Sequence, residues 1–257
     1  MEDNVLISVV IPAFNNAVYL EKAIESALQQ TYRDIEVIIV DDASPDCCGE
    51  IAEKLSLIDK RVYCIHHSEN RGVAEARNTG VLAARGEWIA FLDADDFWAP
   101  EKLQIQLDTI NAKSGCLCYS GARFFYGDST FCGKDISVPE SVTFKELCHG
   151  NVIITSSVLI KKKYLLEFTM ERSDLHEDYI TWLKILNKYG KAIGINKPLT
   201  LHRLTKASKS GQKIKSALAT WRTYLFIGLS IRESIICFMH YIIHGIKRYR
   251  GFWRLYR

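Results

Sequence analysis

The fold is decided by residues 88–96, which read Trp88-Ile89-Ala90-Phe91-Leu92-Asp93-Ala94-Asp95-Asp96. Five apolar residues in succession predict a strand that is buried on both faces, as the strands of a parallel sheet are. Three carboxylates then follow the strand within four residues. Because ligands of such sheets bind outside the carboxyl ends of the strands, these carboxylates predict a binding site at that edge.

Three more apolar runs lie upstream of this strand. They predict strands over residues 7–11, 35–40 and 61–65. Helical spacing and start signals predict helices over residues 20–28, from Ser44-Pro45 to about residue 57, and over residues 73–84. This alternation of strands and helices indicates an α/β fold, with a mostly parallel sheet flanked by helices on both faces.

Polar side chains follow each of the four predicted strands. They are Asn15 and Asn16, Asp41 and Asp42, Asn70 and Arg71, and finally Asp93, Asp95 and Asp96. The carboxyl ends of parallel strands meet at one edge of a sheet, so we expect these side chains to line one site.

The second half of the chain lacks this regular alternation. Short strands are predicted near residues 116–119, 155–160 and 192–195, with a helix over residues 177–189. We divide the chain into a first half (residues 1–115), a second half of the same domain (residues 116–205) that forms a wall for a second substrate, and a tail (residues 206–257).

Composition excludes several classes of protein. The chain has 257 residues, 48% of them hydrophobic and 25% charged, so it can fold around its own core without disulfides or metal. It has no run of about 18 apolar residues, and its start is acidic, so we expect a cytoplasmic chain with no spanning helix or secretory signal. The eight cysteines include no Cys-x-x-Cys pair, and we expect free thiols.

The tail carries the excess positive charge. Residues 201–257 hold 12 Lys and Arg and one acid, Glu233, a net charge of +11, against −8 for residues 1–200. Cations alternate with aromatic residues over 247–257, which predicts a basic amphipathic helical tail on an anionic membrane surface. A helix that closes the main domain with a solvated basic face is the alternative. The acidic main body argues against nucleic acid as a partner.

The aspartates after the fourth strand predict a metal site. Asp93, Asp95 and Asp96 would repel one another strongly unless a cation lies among them. Carboxylates without a neighbouring His or Cys favour Mg²⁺ or Mn²⁺, and such an ion usually completes its shell with substrate phosphates. The alternative is an acidic turn in which Asp96 caps the following helix.

Phosphate binding needs positive charge as well. The chain contains neither Gly-x-x-x-x-Gly-Lys-Ser/Thr nor Gly-x-Gly-x-x-Gly after the first strand, which argues against a phosphate-loop NTPase and a dinucleotide dehydrogenase. Arg71 and Arg77 are the candidate cations. Arg77 is the better of the two, because the alanine-rich segment around it leaves room for a close approach.

Six motifs in a fixed order set this chain beside a known family. They are Val9-Val10-Ile11-Pro12-Ala13-Phe14-Asn15, Gln30-Thr31-Tyr32, Val40-Asp41-Asp42-Ala43-Ser44, Asn70-Arg71-Gly72 with Ala76-Arg77-Asn78, Phe91-Leu92-Asp93-Ala94-Asp95-Asp96, and Glu177-Asp178. In these motifs, which cover roughly residues 5–185, the chain resembles the family 2 glycosyltransferases, which have the GT-A fold. The resemblance implies inverting, metal-dependent transfer of a hexosyl group from a nucleotide sugar, usually a UDP-sugar, to a hydroxyl.

The resemblance also implies donor-side roles for matching residues of the first half, which becomes the nucleotide-sugar-binding half. The implied roles are base contacts for Pro12, Phe14 and Asp42, a diphosphate contact for Arg77, a ribose contact for Asp93, and Mn²⁺ or Mg²⁺ binding for Asp95 together with Asp96. Phe14 stands where many relatives have Tyr.

The second half becomes the acceptor-binding half. The acceptor hydroxyl must lose its proton as it attacks, and a carboxylate within hydrogen-bond reach can take it. Asp178 is the candidate base, with Glu177 as a supporting contact or alternate base. Consecutive helical residues point about 100° apart, so both cannot face one hydroxyl equally. Without the resemblance, both acids would simply favour the positive end of the helix dipole.

The resemblance implies the kind of acceptor, and the charge of the tail predicts where the protein works. Relatives of this size in O-antigen and capsule assembly imply a saccharide acceptor linked to polyprenyl diphosphate, and the tail predicts a peripheral position on the cytoplasmic face of the inner membrane. No local pattern distinguishes glucose, galactose or an N-acetyl form as the donated sugar. A catalytically silent nucleotide-sugar-binding subunit is the alternative function, but the acidic triplet and Glu177-Asp178 together favour an enzyme.

Overall fold

The strands that the structure describes belong to one mixed sheet. The structure is a computed structural model and describes residues 5–126, 130–131, 135–172, 174–204 and 213–250. The strands are β1 (Ile7–Ala13), β2 (Ile35–Asp41), β3 (Val62–His66), β4 (Trp88–Phe91), β5 (Phe97–Trp98), β6 (Leu117–Tyr126), β7 (Thr130–Phe131), β8 (Ser141–Thr143), β9 (Leu159–Lys161) and β10 (Lys191–Arg203). The helices are α1 (Ala17–Leu28), α2 (Cys48–Ile58), α3 (Val73–Ala83), α4 (Lys102–Ala112), α5 (Phe144–Cys148), α6 (Lys162–Glu167), α7 (Glu177–Tyr189), α8 (Lys213–Phe226) and α9 (Ile231–Arg250), and a 3-10 turn spans Thr155–Ser157.

The order of the sheet divides it into two parts. It runs β3-β2-β1-β4-β9-β6-β10-β5, with β7 beside β6 and β8 beside β10. The first four strands are parallel, and β9 is antiparallel to both β4 and β6. The carboxyl ends of β1 to β4 therefore meet at one edge, as the sequence predicts.

Two hydrophobic cores lie on the two faces of the sheet. Alternate residues of a strand point to opposite faces, so Val10 of β1 belongs to one core while Val9 and Ile11 belong to the other. Helices α1, α2 and α4 cover one face, whereas α3, α5, α6 and α7 cover the other. This confirms the predicted α/β fold with a mostly parallel sheet between layers of helices.

The predicted start of the second helix is wrong. Helix α2 begins at Cys48 and not at Ser44-Pro45, because Ser44 is used in a turn. Its backbone N–H donates to Asp41 Oδ1, and the preceding Ala43 has a left-handed backbone with φ of 54°. The Asp46 carboxylate accepts hydrogen bonds from the N–H groups of Cys48 and Ala17, the first residues of α2 and α1.

The strands of the second half also differ from expectation. The strand predicted over 155–160 is a 3-10 turn, Thr155–Ser157, followed by the short β9. Three consecutive hydroxyl side chains in this turn bond to other elements or to nearby backbone, which favours a turn over an extended strand. The strands predicted near 116–119 and 192–195 continue further, as β6 and β10. Helix α4 has no counterpart in the sequence prediction, although Leu103, Leu107 and Ile110 recur at helical spacing.

The tail is a helical hairpin as far as the structure describes it. Gly228, with φ of 87°, lies in the turn between α8 and α9. In α9, Ser234 and Cys237 are buried against the domain, and Phe238 packs on Trp221 of α8. Within the described part of the chain, no helix combines the length and apolar character needed to cross a bilayer. The basic, aromatic end at 251–257 lies outside the described residues.

Candidate active site

The end of β2 supplies two aspartates that organise the nearby loops. Asp41 accepts a hydrogen bond from Ser44 N–H and contacts His66 Nδ1 at 3.0 Å. Asp42 is buried, and its carboxylate accepts hydrogen bonds from the backbone N–H groups of Arg71 and Gly72 at 2.9 and 2.8 Å. Asp42 therefore holds the loop after β3, and its predicted contact with uracil stays a prediction.

The end of β1 places one aromatic ring at the surface. Pro12 lies within the buried strand, whereas the side chain of Phe14, just after it, is 42% exposed. The next residue, Asn15, has a left-handed backbone with φ of 53° and donates its N–H to Ser44 Oγ. An exposed ring held beside the strand ends is suited to stacking on a flat base.

The three aspartates after β4 lie in different environments. Asp93 contacts Arg77 at 2.6 Å, and Arg77 holds the pKa of that carboxyl below its usual value despite burial. Asp96 is almost fully buried, and both its oxygens accept hydrogen bonds, from Ser156 Oγ, His202 and Arg203 N–H. Asp95 lies between them, half-buried, with its backbone carbonyl accepting a hydrogen bond from Arg203.

Negative charge is in excess around Asp95. Burial, with the charges of Asp96 and Asp93, raises the pKa of Asp95 to about 7. Burial alone would lower the pKa of His202, but the charges of Asp96, Asp93 and Asp95 outweigh it and raise that pKa to about 9. Both shifts indicate a place where an added cation is stabilised.

Asp95 and His202 are the candidate ligands for a hard divalent ion that also binds substrate. The Nδ1 atom of His202 is used by Asp96 at 2.9 Å, so Nε2 is the nitrogen that can bind a ligand. Among the described residues, no three His, Cys, Asp or Glu side chains form a complete metal cluster by themselves. An ion held by Asp95 and His202 would therefore need substrate phosphates to complete its shell, as Mg²⁺ and Mn²⁺ sites commonly do. Because both oxygens of Asp96 are engaged by protein donors, the geometry favours Asp95 over Asp96 as the ligand.

Arg77 joins the two halves of the site. Its buried guanidinium contacts Asp93 at 2.6 Å and Glu177, in the first turn of α7, at 3.2 Å. These carboxylates raise the pKa of Arg77 in spite of burial. Next to it, Asn78 exchanges two hydrogen bonds with the backbone of Met170, which also belongs to the second half. The predicted diphosphate contact of Arg77 stays a prediction, since the structure shows it paired with carboxylates.

The 3-10 turn connects the candidate base to the aspartates. Asp178 Oδ2 accepts a hydrogen bond of 2.7 Å from Thr155 Oγ1. The next residue, Ser156, is fully buried, and its hydroxyl donates to Asp96 Oδ2 at 2.6 Å and accepts from Asp93 N–H at 3.1 Å. The carboxylates of both halves are thus linked through two adjacent residues.

Sequence reasoning misses three residues of this site, Ser156, His202 and Arg203. The guanidinium of Arg203 lies between the rings of Tyr19 and Phe125, with centroid distances of 3.8 and 4.4 Å. The polar pair His202-Arg203, directly after Leu201 at the end of β10, was the available signal. Ser156 offers no comparable signal, because the partners of its hydroxyl are 60 or more residues away.

Residues 8–159 match the family described as glycosyl transferase family 2, which is more than half of the chain. The chain is a family 2 glycosyltransferase. Its motifs, its sheet and the carboxylates at the strand ends all agree with this assignment.

Curated relatives of this glycosyltransferase act in bacterial polysaccharide synthesis. A Bacillus subtilis protein, TuaG, described as a teichuronic acid biosynthesis glycosyltransferase, is 34% identical over 95% of this chain and 97% of its own. WfaP of Escherichia coli, a UDP-Glc:α-D-GlcNAc-diphosphoundecaprenol β-1,3-glucosyltransferase, is 32% identical over 95% of each chain.

Solved structures share the fold of this glycosyltransferase. Staphylococcus aureus TarS 1–349 in complex with UDP-GlcNAc has a TM-score of 0.71 and 15% identity over 94% of this chain and 72% of that one. The mannosyltransferase PcManGT of Pyrobaculum calidifontis, in complex with GDP-Man and Mn²⁺, has a TM-score of 0.69 and 17% identity over 91% and 68%. The fold is therefore that of the GT-A transferases.

Proposed function

We propose that this chain transfers a hexosyl group, glucose, galactose or an N-acetyl form, from a UDP-sugar to a hydroxyl of a saccharide carried on polyprenyl diphosphate. The product would enter a bacterial surface polysaccharide such as O-antigen or capsule. WfaP supports this proposal, because its name specifies a UDP-sugar donor and a diphosphoundecaprenol acceptor, and it matches nearly the whole chain.

One observation supports a catalytic role above a silent binding role. Asp178 is bonded to Thr155, and the adjacent Ser156 is bonded to Asp93 and Asp96. The proposed base on the acceptor side and the Asp96 carboxylate on the donor side are thus bonded to adjacent residues of one turn. A protein that only binds nucleotide sugar has no need of this link.

The donor would lie across the ends of β1, β2 and β4. Phe14 would stack on the base beside Pro12, with Asp42 at the edge of the ring, either directly or through the loop that it holds. Asp93 would bind the ribose. Arg77 would keep Asp93 and Glu177 aligned and supply positive charge toward the diphosphate.

Asp95, with His202 and with Asp96 behind it, would hold Mn²⁺ or Mg²⁺. The ion would supply positive charge that stabilises the diphosphate leaving group. Its chemistry suits this site, because burial and the neighbouring carboxylates raise the pKa of Asp95, and the same carboxylates raise the pKa of His202.

Transfer would take place in one displacement with inversion. Asp178 would accept the proton of the acceptor hydroxyl while that oxygen forms its bond to the anomeric carbon. The bond between the anomeric carbon and the diphosphate oxygen breaks at the same time, and UDP leaves with the electron pair. A β linkage, as in the name of WfaP, is what inversion of an α-linked donor produces.

The experiment is a donor screen with a synthetic lipid-diphosphate GlcNAc or GalNAc acceptor, with and without Mn²⁺. We expect UDP release that depends on both acceptor and metal, and a product with an inverted linkage by NMR. Binding of UDP-sugars without transfer to any acceptor would favour the silent subunit.

We further propose that the enzyme works as a peripheral protein on the anionic cytoplasmic face of the inner membrane, because the tail is strongly basic.

A further inference from the structure

Helix α9 presents an apolar face to solvent. Ile231 is 70% exposed and Met239 is 54% exposed, and the remaining members of this exposed stripe are Ile235, Ile236, Ile242 and Ile243. Their spacing places them along one side of the helix, opposite the buried Ser234 and Cys237. An exposed apolar stripe of this length marks a surface that is covered by a partner.

We infer that the exposed stripe of α9 is a bilayer-docking face that lies on anionic phospholipid. This differs from the argument based on the basic C-terminal end, because it assigns membrane contact to isoleucine and methionine side chains within the described hairpin. Burial of an apolar helix face at the boundary between headgroups and acyl chains, with cations beside it, is how interfacial helices bind.

Charge decides between a bilayer and a second copy of the chain. Residues 213–250 contain seven Lys or Arg and one acid, Glu233. Two copies joined through this stripe would bring like charges together, whereas an anionic lipid surface attracts them. Arg232 lies on the exposed side of α9 next to the stripe.

The hairpin is attached to the acceptor side of the active site. Helix α9 of the hairpin contacts the end of α5, where the ring of His240 stacks on that of His149 with centroids 4.2 Å apart. In α8, Ser216 contacts the ring of His176, the residue immediately before Glu177. A bilayer under α9 would therefore lie on the side of the molecule that receives the acceptor. This consequence rests on the proposed lipid-linked acceptor, but the docking face itself does not.

The test uses the full chain and vesicles, without sugar donor. Sedimentation is compared between phosphatidylcholine vesicles and vesicles with 30% phosphatidylglycerol. The test variant combines Ile235→Gln, Met239→Gln and Ile242→Gln. The matched control combines Leu57→Gln, Ile58→Gln and Leu82→Gln, which are as apolar and more exposed but lie on α2 and α3.

We expect the wild type and the control to bind the anionic vesicles, and the α9 variant to bind them at least about tenfold more weakly. Equal binding of all three proteins, or no binding by the wild type, would overturn the docking face. The docking face would also be overturned if light scattering showed a wild-type dimer that the α9 variant abolishes while its vesicle binding persists. If the triple variant lacks a native circular dichroism spectrum, Ile231→Gln is compared with Leu57→Gln. An equal affinity of these two variants for the anionic vesicles would then overturn the docking face.

A second measurement separates this inference from the proposed function. Transfer is assayed on a water-soluble short-chain acceptor and on a long-chain acceptor embedded in vesicles. We expect the α9 variant to lose activity only on the embedded acceptor. If neither acceptor is used by the wild type, the proposed function fails, while the vesicle-binding result still decides the docking face.

Discussion

The two halves of the chain, which we propose to be a donor half (residues 1–115) and an acceptor half (residues 116–205), build their parts of the site in different ways. In residues 7–115, the site side chains other than Arg77, which lies on α3, are found at the ends of parallel strands, next to buried apolar runs. In residues 116–203, they come from a 3-10 turn, the first turn of α7 and the end of β10. The first kind of site can be read from local sequence, whereas the second kind exists only after distant segments have packed together.

The two halves meet in a seam of buried polar contacts. Arg77 bonds Glu177, Ser156 bonds Asp93 and Asp96, and His202 bonds Asp96. Buried polar groups of this kind are costly unless each finds its partner, so the seam fixes how the halves sit on each other. Substitutions in either half, and in the seam, should therefore have distinct signatures.

The largest effect is expected in the acceptor half. Asp178→Asn should lower kcat by about 10³-fold or more while UDP binding stays normal, because the amide cannot take the proton from the acceptor. Steady-state kinetics and calorimetry with UDP measure the two quantities. Asp174→Asn, an exposed carboxylate nearby that pairs with Arg172, is the matched control. Unchanged kcat in Asp178→Asn would remove this residue from the role of base.

The next effect is expected in the donor half. Asp95→Ala should weaken binding of the UDP-sugar in the presence of Mn²⁺ by about 10- to 100-fold, because a metal ligand is lost. Calorimetric titration with and without Mn²⁺ tests this, with Asp108→Ala on α4 as a control for a lost acid. Normal Mn²⁺-dependent donor binding by Asp95→Ala would exclude the proposed metal site.

A smaller effect is expected at the seam, where both halves should respond. Ser156→Ala removes a hydroxyl that serves Asp93 and Asp96 together, and should lower kcat about tenfold and stability by about 1–3 kcal/mol. Ser157→Ala is the control, since that equally buried hydroxyl bonds, within the part of the chain that the structure describes, only the nearby carbonyl of Ile154. If both variants lose the same activity, Ser156 has no special role in joining the halves.

The smallest effect on activity is expected at Lys102, where the predicted change concerns stability alone. Its side chain is buried over the ring of Trp98, 3.9 Å from the centroid, with no hydrogen-bond partner among the described residues, and burial lowers its pKa to about 7. The unfolded chain binds more protons above that pH, so this group makes wild-type stability rise from about pH 7 toward 10. At and below about pH 7, Lys102 is charged in the folded protein, and burial of this charge lowers the free energy of unfolding by its full amount.

Lys102→Met should therefore raise the free energy of unfolding at pH 6.5. This gain should shrink by up to about 1.4 kcal/mol per pH unit as the pH rises above 7. Denaturant titrations at pH 6.5 and 9.5 measure the difference, with the exposed Lys113→Met as control. A gain that does not change with pH would contradict the lowered pKa.

Much of the donor half could be predicted because its signals are local. The apolar runs of β1, β2 and β4 mark both the strands and the edge where Asp93 and Asp95 lie. Predicted element boundaries were wrong where a side chain bonds the backbone of a turn. The N–H of Ser44 donates to the Asp41 carboxylate, so Ser44 lies in a turn and does not start a helix. The seam could not be predicted, because His202 and Asp96 are 106 residues apart and nothing near either residue indicates the other.

The sequence by itself determined the α/β fold, the family and the acidic cluster after β4. The spacing of apolar residues and the polar residues at strand ends are properties of short segments. They can be read from the sequence without knowing which distant segments are in contact. Only the tertiary structure decided that Ser156 links the two halves and that α9 turns its isoleucines outward. The physical reason is that hydrogen bonding and burial depend on which groups are neighbours in space, and the packed sheet alone sets those neighbours.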